Sequence, residues 1–276
     1  MTPSDAASSP PADTDAEVAA QPCSAGLFGK LPARGDFVMR NLPPDVLRPF
    51  EDWLMAVMRD SREILAEDWG RVWHQAAAWR FWIGGAALEG DWRQGFQARG
   101  AAAARATAVT GVLLPSSDRS GRHFPLVLLL ADSHASLMPP PVVAAPDRDW
   151  YAACEQVLRE ARVAADLAPV ESALAVLPAP RLPDHAAGLG EILARRSLWA
   201  VAGDAESHET ALWADIAAVD HHLGAVHRSY WWIERPPGAD SPGPGPMAAL
   251  SLPGLPDPES FAFMLTRTVP EMESPS

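Results

Sequence analysis

Two short stretches gather glycine with cationic and anionic residues between apolar flanks. The first is Gly26-Leu27-Phe28-Gly29-Lys30-Leu31-Pro32-Ala33-Arg34-Gly35-Asp36-Phe37-Val38. The second is Val112-Leu113-Leu114-Pro115-Ser116-Ser117-Asp118-Arg119-Ser120-Gly121-Arg122-His123-Phe124-Pro125-Leu126. Gly29, Gly35 and Gly121 suit tight turns or close backbone approach. Charged residues at the ends of buried strands are where sites are usually built. If the two loops converge, Lys30, Arg34 and Arg122 form an anion site for a phosphorylated or acidic partner segment, since guanidinium pairs bidentately with such groups. The same residues also fit an internal network that locks the loops, with Asp36 on Arg34 or Arg122 and Asp118 on Arg119. Lys30 is the only lysine in the chain, a compact point charge that arginine does not mimic. As an exposed charge, its loss would hardly change stability.

Other constellations are weaker. Ser116, Ser117, Asp118 and His123 supply the residue types of a hydrolase triad, but no Gly-x-Ser-x-Gly elbow occurs. Turn capping by the serines and Asp118 accounts for them better. His221-His222 and His227 lack a Cys or carboxylate at metal-binding spacing. Phe28-Gly29-Lys30 is not a P-loop, because leucine follows the lysine. No metal or cofactor is expected. Trp231-Trp232 alternate faces on a strand, which places one in the core and leaves the other as a candidate exposed anchor.

These loops need strands to hold them. The runs 107–114 and 124–131 are apolar on both faces and should be adjacent central strands. Further strands are expected at 27–31, 78–83, 229–233 and 247–252, with a weak one at 173–177. Apolar residues from Val46 to Leu65 recur at helical spacing behind Pro43-Pro44, with Pro49 a candidate for the true start. Helices are also expected over 147–165, 191–196 and 256–265, and residues 90–107 read as a poor strand or a helix. The fold class is α/β, a mixed sheet with helices on both faces in three layers. Residues 1–23 read as a disordered acidic tail, 24–266 as a single domain and 267–276 as a flexible tail.

The formal charge of −13 argues against nucleic acid and anionic membranes. No run approaches the ~18 apolar residues of a membrane span, and the N-terminus lacks the pattern of a signal peptide. Two cysteines without metal spacing suit reduced thiols and a cytoplasmic protein.

Several blocks together resemble the TagF family, also called ImpM, associated with type VI secretion. They are Phe28-Gly29-Lys30-Leu31-Pro32-Ala33-Arg34-Gly35-Asp36-Phe37, Trp79-Arg80-Phe81, Val112-Leu113-Leu114-Pro115-Ser116, Asp118-Arg119-Ser120-Gly121-Arg122, Ser229-Tyr230-Trp231-Trp232 and Gly254-Leu255-Pro256. They run in the same order across about residues 26–265. The resemblance implies a cytoplasmic repressor that acts after translation, without catalysis, by binding a forkhead-associated scaffold of the secretion machinery. On this reading the candidate partner-binding residues are Lys30, Arg34, Asp36, Asp118, Arg122, Trp231 and Trp232. The rival readings are a small hydrolase using the 115–123 loop and a purely structural adaptor.

Overall fold

The computed structural model describes residues 24–89, 108–182, 221, 224–234 and 246–267. Its centre is a seven-stranded sheet in the order β2-β1-β5-β4-β3-β6-β7. The strands are β1 (Gly26–Lys30), β2 (Phe37–Arg40), β3 (Trp79–Ile83), β4 (Val109–Leu114), β5 (Leu126–Leu130), β6 (Arg228–Glu234) and β7 (Pro246–Pro253). As expected, the two most apolar runs lie side by side at the centre, β4 and β5, with Val112 opposite Leu128. Every residue of both strands is buried. The six pairings are all antiparallel. Apolar runs report burial of both faces but not strand direction, so the sheet expected to be mixed is antiparallel throughout the described strands.

Strand residues alternate between two cores. Leu126, Leu128 and Leu130 face α5 (Arg148–Val163) and α6 (Ala168–Ala175). Val127 and Leu129 face α1 (Pro44–Leu65), α2 (Trp69–Gln75) and a C-terminal helix, α7 (Pro258–Thr266). The result is the expected three-layer arrangement. Indole N–H groups seat the layers while their rings stay dry. Trp53 donates to the Pro256 carbonyl at 2.6 Å and Trp79 to that of Met264 at 2.8 Å, which fixes α7. On the other face, buried Arg80 ties β3 to α5 through Glu155 at 2.6 Å and to β6 through Glu234 at 3.2 Å.

Some local expectations need correction. Helix α1 begins at Pro44, and Pro49 lies inside it. The Pro43 carbonyl already accepts from Val46 and Leu47, so the start is made before Pro49 is reached. The segment 173–177 is not a strand; α6 runs to Ala175, with Pro169 in its first turn and Val170 and Leu174 packed inward. Four short elements escaped the periodicity: β2, α2, and the five-residue helices Gly85–Glu89 and Ser133–Leu137. Each is too brief to show a period. The helix expected at 191–196, the stretch 90–107 and the tails 1–23 and 268–276 lie outside the described residues.

Candidate functional site

Topology brings the two charged loops together. β1 runs antiparallel to β5, and β5 runs antiparallel to β4. β1 and β4 therefore point the same way with one strand between them, about 10 Å apart. The loops that follow them, 31–36 and 115–125, leave the same end of the sheet. Gly29 makes the approach possible. Its φ is +135°, and a Cβ there would lie 2.0 Å from the Pro125 carbonyl oxygen. Gly121 turns the second loop at φ +77°. Gly35 has neither a positive φ nor a close neighbour, so this position, expected to be structural, does not require glycine.

The centre of the contact is a buried ion pair. Lys30 is 8% exposed, and its Nζ lies 2.9 Å from Asp118 Oδ2. The Asp118 side chain is fully buried and accepts three further bonds. Arg122 Nε donates at 2.6 Å, and the backbone amides of Ser120 and Arg122 each donate at 2.9 Å. Burial alone would raise the Asp118 pKa, but the bonds from Lys30, Arg122 and Ser120 outweigh it and hold the carboxyl below the usual carboxylate range. Backbone bonds extend the staple. Ser116 Oγ donates to the Lys30 carbonyl at 2.8 Å, Arg119 N to the Arg34 carbonyl at 2.8 Å, and Arg122 Nη2 to the Gly35 carbonyl at 2.7 Å.

This geometry corrects several sequence expectations. The loops do meet, but Lys30 is not an exposed charge; its ammonium is neutralised by Asp118 instead of being offered to a ligand. Asp118 pairs with Lys30 and Arg122, not with Arg119. Asp36 is exposed and makes no ion pair among the described residues. Arg34 is exposed, and Arg122 keeps its outer edge in solvent while bracing the loops. Trp231 and Trp232 occupy opposite faces as alternation requires, yet both are buried because helices cover both faces. Trp231 packs on Phe81 with ring centroids 4.9 Å apart, and Trp232 on Tyr151 at 5.0 Å. Neither is an exposed anchor. Of the triad types, the Ser116 hydroxyl is bound to a carbonyl, Asp118 is held by cations, and the His123 ring packs on Trp69 and His74, while Ser117 lies opposite His123 in an isolated antiparallel bridge.

Two residues outside the candidate set stand out on the surface. Phe37 and Met39, on β2 at the sheet edge, are 42% and 49% exposed. Val38 between them is buried, so both project from the other face of the strand. Phe37 is fixed rather than loose. It stacks on Phe28 with centroids 5.6 Å apart, meets Phe124 edge-on at 4.8 Å, and lies 5.2 Å from the Lys30 ammonium. The signal for this patch was the Phe37-Val38-Met39 alternation just past the charged loop.

No curated protein matches the chain. Among solved structures, the 2.05 Å crystal structure of PA0076 from Pseudomonas aeruginosa PAO1 is similar, with 27% identity and a TM-score of 0.58 over 91% of this chain and 100% of that one. The family model for the TagF N-terminal domain, described as type VI secretion system-associated, matches residues 26–177, from β1 through α6 with both stapled loops. The chain therefore belongs to the TagF family of type VI secretion system-associated proteins.

Proposed function

We propose that this protein is a cytoplasmic, post-translational repressor of type VI secretion that works without catalysis, by binding a protein of the machinery. A forkhead-associated scaffold is the partner that family resemblance suggests. One observation supports a binding role most directly: an exposed apolar pair, Phe37 and Met39, sits on an edge strand beside the exposed Arg34 and the outer edge of Arg122. An edge strand offers unpaired backbone groups to an incoming segment. Aromatic and arginine side chains are the types that dominate binding energy. The Lys30–Asp118 staple holds this surface in one conformation, which lowers the ordering cost of association.

The test is genetic and biochemical together. Overproduction in a host with an active system should block secretion, and deletion should raise it. Met39→Asp should weaken capture of the scaffold at least tenfold and release repression. Met39 is half-exposed, so its melting temperature should stay within about 2 °C of wild type. If Met39→Asp and Arg34→Glu both bind and repress like the parent, the β2 surface is not the interface.

A further inference from the structure

Beside the staple lies a cavity of about 160 Å3 whose walls are Pro32, Trp73, His74, Pro115, Ser116, Ser117 and Arg162. In a chain of formal charge −13 these walls carry no carboxylate. Two of the carbonyls lining the cavity are already engaged. The Pro115 carbonyl accepts from Arg162 Nη1 at 3.2 Å, and the Ser116 carbonyl from the Trp73 indole at 3.0 Å and from Phe124 N at 3.1 Å. What remains uncommitted is a set of donors: the other N–H groups of Arg162, the His74 imidazole and the Ser117 hydroxyl. Arg162 and His74 line the cavity with no carboxylate among its other walls.

An imidazole and a guanidinium stand behind this wall. The His123 ring meets that of His74 edge-on at 4.9 Å, and the Arg62 guanidinium lies over Trp69 at 4.4 Å. Burial, then the charges of His74 and Arg62, hold the His123 pKa below its ordinary value. Basic residues in a last helical turn also offset the helix dipole, and His74 and Arg162 occupy the last turns of α2 and α5. That role does not require the two helix ends to converge on one cavity.

We propose that this cavity binds a phosphate group, held by Arg162, His74 and Ser117. A tetrahedral phosphate presents three strong acceptor oxygens in different directions, which matches donors arriving from two helices and a loop. The cavity is smaller than the ~300–1,000 Å3 of sites that enclose whole drug-sized ligands. It takes the phosphate and leaves the rest of any ester outside. The proposal goes beyond partner binding on β2 and does not depend on it.

The test titrates the full chain with sodium phosphate, with O-phosphoserine and with sodium chloride at matched ionic strength. Binding is followed by heat and by the NMR signals of the indole and imidazole groups. Saturable binding of phosphate or phosphoserine, with only a linear response to chloride, is the expected result. Arg162→Gln should weaken that binding at least tenfold, and Arg34→Gln, outside the cavity, should not. If Arg162→Gln melts far below the parent, His74→Gln carries the same comparison from an exposed position. Tighter binding of phosphoserine identifies a phosphate monoester as the ligand, and tighter binding of inorganic phosphate identifies the free anion. A response to both phosphates no different from chloride, or unchanged binding by the cavity variants, overturns the proposal.

Discussion

Replacing Lys30 by methionine separates an interface charge from a structural one. Methionine keeps most of the apolar stem and removes only the ammonium that lies 2.9 Å from Asp118 Oδ2. Removing one partner of a buried pair typically costs about 3–5 kcal/mol, because the other charge is left uncompensated. Here Asp118 still accepts from the Arg122 guanidinium and from two backbone amides, so its charge is not abandoned. The expected cost of losing Lys30 is therefore about 2–3 kcal/mol, at or just below the lower limit of that range. For a chain of this size it lowers the melting temperature by roughly 5–10 °C. The assay is thermal unfolding near neutral pH, followed by circular dichroism, on Lys30→Met and Arg34→Ala side by side. The exposed Arg34 should change the midpoint by no more than about 2 °C. A Lys30→Met protein that melts within a degree of wild type would refute the buried staple and restore the view of Lys30 as a surface charge.

Three further outcomes follow from the same geometry. Gly29→Ala should destabilise by about 3 kcal/mol or more in a denaturant titration, because alanine is strained at φ +135° and its Cβ would meet the Pro125 carbonyl, whereas Gly35→Ala should be nearly neutral. Asp118 has a lowered folded-state pKa, so the stability it supplies is present above about pH 4 and is lost as the pH falls further; Asp118→Asn should give a less stable protein at pH 7 with a shallower acid limb in stability plotted against pH. Tyr151 is fully buried and its pKa is raised, mainly by burial, against the opposing hydrogen bond with Thr110; stability should therefore fall as the pH rises above about 10, and Tyr151→Phe should flatten that alkaline fall.

Several features were legible because they depend on burial alone. Strands that are apolar on both faces, such as 126–130, can sit only in the middle of a covered sheet. The 22-residue helix α1 and the 16-residue α5 were visible as one-sided apolar repeats. The convergence of the two loops was also readable, since glycine and charge at the ends of such strands mark turns at one end of the sheet. The elements that escaped are short, and α6 was mistaken for a strand because a few apolar residues in an alanine-rich run satisfy both periods.

The sequence by itself determined which residues are apolar, where the chain turns and which family the ordered blocks resemble. Those are properties of composition and near neighbours. Only the tertiary structure decided what each charge and ring does. Lys30 and Asp118 are 88 residues apart in sequence, and their mutual neutralisation exists only because a single strand, β5, lies between β1 and β4. Trp231 and Trp232 look alike as potential anchors until helices are seen to cover both faces. Phe37 and Met39 are ordinary strand residues until β2 is found at the edge. His74 and Arg162 become one donor set because two helix ends meet the 115–117 loop. Exposure and charge pairing are long-range properties, fixed by which distant segments pack together, and no local pattern encodes them.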